Sequence, residues 1–219
     1  MPQMTLIRHG QANTTARDEL DYDKLSDLGH QQARWLGDYL AQSGDHYQRV
    51  FCGTMRRHIE TAEGIGAMRY GEIVQDSRLN EFPYFSLEKA MQAQFNTAHP
   101  TSREEFAAHL PKVLAAWSNN ELENVDETFA AFSGRVGAVI EDIAAGDGRA
   151  LVITSGGLIS TVLRQTLNLE VDGWSRMCMA IMNSSVHRWQ SLLDRPILTQ
   201  FNAVPHLETP DRHYAQTHL

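Results

Sequence analysis

The sequence predicts an α/β fold whose sheet is mostly parallel. Short apolar runs that end at glycine or polar residues alternate with amphipathic segments of helical spacing. Alternation of this kind indicates βαβ units, in which a helix connects two parallel strands. The 219 residues are enough to bury a large core, and no repeat or long linker divides them. We therefore predict one domain over residues 1–219.

The first third of the chain supplies most of these units. One helix is expected to bury a face made of Leu28, Ala33, Leu36 and Leu40, and Gly44 should end it. The expected elements here are a strand at 4–10, a helix at 25–44, a strand at 49–53, a helix at 54–68 and a strand leading into a loop at 73–82.

The middle of the chain is predicted to be helical. Residues 83 to about 125 contain no convincing strand and are expected to form a helical insertion over one end of the sheet. Pro111 should kink or split a helix there. The later elements are a core helix at 126–146, with Phe129, Phe132, Val136, Val139, Ile140 and Ile143 on its apolar side, a strand at 150–154, and a closing pair of strands at 184–191 and 196–202.

Charge and composition exclude several functional classes. A net charge of −8 argues against a broad surface for nucleic acid or anionic membranes, so any anion must be bound locally. Cys52 and Cys178 lack the spacing of a disulfide framework or a zinc site, and the ten histidines show no metal-binding motif. No apolar run is long enough for a membrane span, and the first residues lack a signal-peptide pattern. We expect a cytoplasmic protein.

Residues suited to phosphate chemistry follow the predicted strands. Ligands of parallel α/β sheets bind at the carboxyl ends of strands. Two arginine forks can bind phosphate oxygens, a histidine between them can attack phosphorus when its reacting nitrogen is unprotonated, and a carboxyl can protonate the leaving group. Glycine after the histidine leaves room for a close approach of backbone to ligand. The residues at these strand ends are Arg8-His9-Gly10, Arg56-Arg57, Glu81 and Ser155-Gly156-Gly157.

Four segments in this order resemble the histidine phosphatase superfamily, also called phosphoglycerate mutase-like. "LIRHGQA" matches L-x-R-H-G-E/Q, "LSDLGHQQA" matches L-T-x-x-G-x-x-Q-A, "GTMRRHIETAE" matches S-x-L-x-R-A-x-x-T-A, and "RLNEF" matches L-x-E. "FNAVPHL" is similar to the family's tail, so the resemblance covers most of residues 4 to 207. The resemblance implies a three-layer α/β/α sandwich and an activity that needs no cofactor or metal.

The resemblance also implies residue roles. His9 would be the nucleophile that becomes phosphohistidine, Arg8 and Arg57 the phosphate ligands, and Glu81 the general acid and base. The sequence departs from the family at Ser155, where most members have a second histidine. Ser155 alone is open to interpretation as a nucleophile, a phosphate ligand or a helix cap. With His9 as nucleophile, we expect Ser155 to donate a hydrogen bond to the phosphoryl group while also capping its helix.

Another histidine can replace the missing one only if it reaches the same pocket. His58 is not expected to do so, because neighbouring helix positions point about 100° apart and Arg57 takes the pocket side. His187, in a closing strand, is the remaining alternative. His206, His213 and His218 are expected at the surface.

We predict a phosphomonoester hydrolase of the histidine acid type, slowed by the loss of one hydrogen-bond donor to the transition state. The substrate is expected to be a small phosphorylated molecule or a phosphoprotein. Because the insertion is acidic, we expect neutral or apolar monophosphates to be preferred over bisphosphates, with Phe82, Tyr84 and Phe85 either at the entrance or in the core. The alternatives are a phosphoglycerate-type mutase and a non-catalytic phospholigand-binding or regulatory protein. The oligomeric state is open, with a homodimer as one option.

Overall fold

A computed structural model describes residues 3–14, 16, 18–192 and 195–218. Within these ranges six strands form one sheet in the order β3-β2-β4-β1-β5-β6. The pairings among β1, β2, β3 and β4 are parallel, and β5 and β6 add an antiparallel edge. The strands are β1 (Gln3–Arg8), β2 (Arg49–Cys52), β3 (Ile73–Gln75), β4 (Arg149–Thr154), β5 (Val186–Leu192) and β6 (Arg195–Ala203).

Helices cover both faces of this sheet. Successive strand residues point to opposite faces, so Leu6 and Val152 join one core cluster while Ile7 and Ile153 join the other. The helices are α1 (Glu19–Tyr22), α2 (Asp27–Gln42), α3 (Arg56–Ile65), α4 (Tyr84–Phe95), α5 (Arg103–Ser118), α6 (Phe129–Ala145), α7 (Gly156–Leu167) and α8 (Val171–Ala180). Helices α2 and α3 cover one face and α4 to α8 contribute to the core of the other, which confirms the three-layer α/β/α fold.

The region expected as a helical insertion contains α4 and α5. Of the kink or split expected at Pro111, the split does not occur, because α5 continues through it from Arg103 to Ser118. Buried Leu110, Val113 and Leu114 on either side of the proline hold this helix against the core, which offsets the loss of one backbone donor. None of the helices in the described ranges has the length and apolar character of a membrane span.

Candidate active site

The predicted strand ends lie together because β1, β2 and β4 run parallel. Arg8 is in register with Thr154, and Cys52 with Ile153, so the three strands finish at the same edge of the sheet. Helices α3 and α7 begin just after β2 and β4. The structure thus brings the residues that follow these strands to one place.

Arg8 is a buried cation with unused hydrogen-bonding capacity. Its Nη1 donates to the carbonyl oxygens of Ile181 at 2.5 Å and His218 at 2.6 Å. Only 6% of the residue is exposed, yet its Nε has no acceptor among the described residues. A buried N–H without an acceptor is costly, so this edge of the guanidinium is suited to an anion.

The hydrogen bond of His9 determines which ring nitrogen is free. Nδ1 lies 2.6 Å from the carbonyl oxygen of Gly10, and because a carbonyl can only accept, Nδ1 carries the proton. Nε2 of the neutral ring therefore keeps a lone pair. Burial, followed by the charges of Arg57 and Arg8, holds the pKa of His9 well below its usual value, so this neutral form persists at neutral pH.

Gly10 allows the loop after β1 to pack closely against α2. A methyl group at this position would overlap the carbonyl oxygen of Gly29 in α2. The backbone N–H of Gly10 donates to Thr61 Oγ1 at 3.1 Å, which joins the loop after β1 to α3. The absence of a side chain at Gly10 therefore allows helix α2 to approach the loop closely.

Arg57 is buried in the first turn of α3 and is already paired with acids. Its Nη1 contacts Glu19 Oε1 at 2.8 Å and Asp23 Oδ1 at 3.1 Å, and its guanidinium lies 5.0 Å from the centroid of the Tyr22 ring. Asp23 also accepts from the backbone N–H of Arg56, which fixes the start of the helix. As with Arg8, the Nε of Arg57 is buried without an acceptor in the described part of the chain.

Glu81 lies opposite these cations, held by two backbone amides. Its Oε1 accepts from the N–H of Phe82 and its Oε2 from that of Gly157, both at 3.0 Å. Any side chain at 157 would overlap the Glu81 carboxylate. Burial raises the pKa of Glu81 above its ordinary value, although the hydrogen bond from Gly157 and the charge of Arg57 oppose the shift. The carboxyl group can therefore hold a proton at higher pH than a surface glutamate.

Ser155 begins α7, but the expectation that its side chain caps this helix is wrong. It occupies the N-cap position without a capping hydrogen bond. Its Oγ instead lies 2.6 Å from Nε2 of His58, and both residues are fully buried.

As expected, His58 does not line the cavity that Arg57 lines, because the two side chains point in different directions. The sequence did not predict that the buried His58 ring would lie beside the site, with its centroid 5.7 Å from that of His9. Gly53 makes room for the ring, since a methyl group there would overlap His58 Nδ1. The sequence signal for His58 was its position in the arginine motif, where the pattern has alanine.

Of the other candidate histidines, His218 lines the cavity beside the site, whereas His187, His206 and His213 do not. His187 is saturated by Ser185 Oγ at 2.9 Å and the N–H of Asn202 at 3.2 Å, and it does not line the cavity. His213 is exposed as expected. The surface prediction is wrong for His206, which is 3% exposed, and His218 is half-buried beside Arg8.

A cavity of about 420 Å³ opens beside the site. Arg8, Arg57, Glu81 and Gly157 contribute to its wall, whereas buried His9 and Ser155 are not lining residues. All three aromatic residues predicted near the entrance line it, and Phe82 also packs against core rings. The wall on the insertion side consists of Tyr84, Phe85, His99, Pro100, Thr101, Ser102, Arg103, Phe106 and Leu110.

The acidic residues of the insertion do not face this cavity, which corrects the basis of the substrate prediction. Glu123 and Asp126 line a different cavity, and the remaining acids line neither. Arg103, exposed and without an ion pair in the described ranges, instead adds positive charge to the wall. In those same ranges, no cluster of three or more histidine, cysteine or acidic residues is arranged to hold a metal ion.

Sequence reasoning missed several residues that hold the site together. Glu19 and Asp23 contact Arg57 from a short helix that no periodicity marks. Gln32 had a signal, since it is the glutamine of the second motif; its Oε1 accepts from the N–H of Gln11 at 2.7 Å. The carbonyl of His218 comes from 210 residues away along the chain, a distance that local patterns do not span.

Solved structures share this fold at low sequence identity. A phosphoserine phosphatase from Entamoeba histolytica, in complex with 3-phosphoglyceric acid, matches 94% of this chain and 100% of its own, with a TM-score of 0.70 and 18% identity. A phosphoglycerate mutase from Bacillus anthracis str. Sterne matches 93% of this chain and 94% of its own, with a TM-score of 0.66 and 20% identity.

Sequence comparison gives the family. A curated relative, the 2,3-bisphosphoglycerate-dependent phosphoglycerate mutase of Maricaulis maris (strain MCS10), is 35% identical over 95 residues, which are 40% of this chain and 38% of the relative's length. The model of the histidine phosphatase superfamily (branch 1) matches residues 4–203. Because that match spans nearly all of the chain, the protein belongs to the histidine phosphatase superfamily.

Proposed function

We propose that this protein hydrolyses small phosphomonoesters through a phosphohistidine on Nε2 of His9. One observation carries the proposal: a neutral histidine with a free Nε2 lies between two buried arginines whose Nε donors have no acceptor among the described residues. A phosphoryl group would satisfy both donors and present phosphorus to the lone pair.

The proposed reaction has two balanced steps. First, His9 Nε2 forms a bond to phosphorus as the ester P–O bond breaks, and the Glu81 carboxyl gives its proton to the leaving oxygen. Next, water attacks phosphorus, the N–P bond breaks, and Glu81 takes the water's proton, which restores both groups. Arg8 and Arg57 stabilise the charge on the equatorial oxygens throughout. The raised pKa of Glu81 and the lowered pKa of His9 both favour the protonation state that the first step needs.

The residues of the cavity wall favour a small substrate whose organic part is apolar or can pack against aromatic rings. Tyr84, Phe85 and Phe106 supply ring surface, and Arg103 supplies one positive charge on the insertion side. The Arg103 guanidinium can bind an anionic group on the organic part of the substrate, either a carboxylate or a second phosphate. The acidic wall that was the reason to prefer monophosphates over bisphosphates is not there, so we do not extend that preference to the proposed substrate.

A screen of small phosphomonoesters tests the proposal, with release of inorganic phosphate as the readout. His9→Ala should lower kcat about 10⁴-fold or more, because the covalent route is lost. His206→Leu serves as the matched control, since it removes a buried histidine whose Nε2 is already paired with Ser184 Oγ at 2.8 Å. Undiminished turnover by His9→Ala would overturn the mechanism.

The 35% identity to a phosphoglycerate mutase over 95 residues supports a second candidate, a mutase. A mutase shares the first step but returns the phosphoryl group to an organic hydroxyl instead of water. Incubation with a phosphoglycerate separates the two, because a mutase yields the isomer and a hydrolase yields free phosphate. Tight binding of phosphate without turnover of any ester would instead indicate a non-catalytic phospholigand-binding protein.

A further inference from the structure

His58 and Ser155 form a buried pair directly behind the nucleophile. The two side chains meet at 2.6 Å between Nε2 and Oγ, neither residue is exposed, and the His58 ring lies 5.7 Å from that of His9. The mechanism described above uses neither residue. A polar pair at full burial, beside the group that attacks phosphorus, therefore calls for a role.

The hydrogen-bonding of the pair fixes which partner donates. Nδ1 of His58 is buried and has no partner in the described part of the chain. Buried N–H groups without a partner are rarer in proteins than buried acceptors without one, which favours the neutral tautomer with its proton on Nε2. Burial and the charge of Arg57 keep the pKa of His58 well below its usual value, so the ring is neutral. Nε2–H then donates to Ser155 Oγ, and the hydroxyl proton of Ser155 remains available for another acceptor.

The same two positions carry the departures from the family pattern. The arginine motif quoted above has alanine where this chain has His58. Most family members have the second histidine where this chain has Ser155. A small residue and an imidazole have thus exchanged places across a contact of 2.6 Å. Gly53 provides the additional space, since a methyl group there would overlap the ring.

We propose that His58 replaces the family's second histidine from the opposite side of the contact: it positions Ser155 so that the serine hydroxyl donates to the phosphoryl group attacked by His9. This proposal rests on the proposed function, because it concerns the same phosphoryl group. Ser155 is the residue that touches the substrate oxygen, and His58 is a positioning residue that acts through it. The hydroxyl contributes most when negative charge builds up on that oxygen.

A double-mutant cycle tests this coupling. His58→Leu replaces the imidazole with an apolar side chain of similar volume and so removes the donor. Ser155→Ala removes the hydroxyl. Each single variant should lower kcat about 10- to 100-fold with KM changed by less than about threefold, because the lost interaction belongs to the transition state. In the Ser155→Ala background, His58→Leu should cost less than about twofold further. His58→Gln, whose amide N–H₂ can reach Oγ, should recover most of the loss.

The matched control is His206→Leu. His206 Nε2 is likewise paired with a serine hydroxyl, Ser184 Oγ at 2.8 Å, and its Nδ1 is likewise buried without a partner in the described ranges. Unlike His58, it has no ring contact with His9 within the described residues. Its substitution should lower the urea midpoint as much as His58→Leu does, while kcat of the folded protein stays within about twofold of wild type.

Orthovanadate binding keeps the test independent of turnover. Vanadate imitates the five-coordinate phosphoryl group, so its Kd should rise about tenfold in His58→Leu and show the same non-additivity with Ser155→Ala. Nitrogen-15 NMR of wild type should find His58 protonated on Nε2 alone at pH 7. Full additivity of the two substitutions, or protonation on Nδ1, would overturn the proposal. Turnover that survives in His9→Ala would instead overturn the proposed function and leave the vanadate and NMR results to decide this inference separately.

Discussion

The site contains two Arg-His dipeptides, Arg8-His9 and Arg57-His58, which place their side chains by different local geometry. Arg8 ends a strand and His9 begins the loop that follows, so both face the sheet edge where ligands of this fold class bind. Arg57 and His58 are neighbours in the first turn of a helix, where successive side chains diverge by about 100°. Arg57 points to α1 and the cavity, while His58 points to Ser155.

The difference shows how one helix can serve a site from two directions. Helix α3 begins beside the carboxyl ends of the strands, so groups that lie around its first turn all belong to the same site. In the proposed mechanism, the first pair supplies the nucleophile and one phosphate ligand. The second pair would supply the other phosphate ligand and a positioning group. Both histidines are neutral, but one keeps a lone pair free on Nε2 and the other keeps a proton there.

The largest effect is expected from removing the group that protonates the leaving oxygen, the Glu81 carboxyl. Glu81→Gln should slow esters with poor leaving groups about 10²- to 10⁴-fold, because the leaving oxygen loses its proton donor. Aryl phosphates with good leaving groups should lose less than about tenfold. The ratio of kcat/KM for an alkyl and an aryl phosphate measures the effect, and equal losses on both would contradict the role of Glu81.

The pH profile checks the same assignment in wild type. Glu81 must be protonated in the first step, so kcat/KM for poor leaving groups should fall as pH rises through its raised pKa. His9 must be unprotonated, and since its pKa lies well below 6.5, the acid limb should begin well below that value. In Glu81→Gln the alkaline limb should disappear.

The next largest effect is expected from moving the histidine of the His58–Ser155 contact to position 155. His58→Ala combined with Ser155→His restores the family's arrangement, with space for the new ring where His58 stood. The double variant should be about tenfold more active than His58→Ala alone, because an imidazole again reaches the phosphoryl group. Ser155→His alone should fold poorly, since its ring would overlap that of His58 across the 2.6 Å contact. A double variant no better than His58→Ala would show that the two positions are not interchangeable.

The smallest expected effect concerns the acid that pairs with Arg57. The Glu19 side chain is 39% exposed, and its carboxylate competes with a phosphate for that guanidinium. Glu19→Gln should therefore lower KM about two- to fivefold with little change in kcat, in line with the modest energy of a partly exposed ion pair. Glu123→Gln, an exposed acid that lines the other cavity, is the control and should leave KM unchanged. A higher KM in Glu19→Gln would indicate that Glu19 binds the substrate.

The contrast between the two pairs also marks what the sequence can predict. Strand periodicity and the rule for parallel sheets placed Arg8, His9 and Ser155 at one edge, and motif spacing distinguished Arg57 from Arg56. The divergence of adjacent helical side chains is a correct local rule, and His58 does not line the cavity. The rule did not reveal that His58 packs beside His9 and Ser155, because that contact is a tertiary property. The pairing of Arg57 with Glu19 and Asp23, and of Arg8 with the carbonyl of His218, likewise depends on contacts between distant segments.

The covalent intermediate is the most direct test of the account. Wild-type protein mixed with an aryl phosphate and quenched in alkali within the first turnovers should carry one phosphate on His9, stable to base and labile to acid, as phosphoramidates are. Phosphorus-31 NMR should place it on Nε2, the nitrogen left free by the bond from Nδ1 to Gly10. Phosphate release without any phosphorylated His9, or phosphate found on Ser155, would contradict the account.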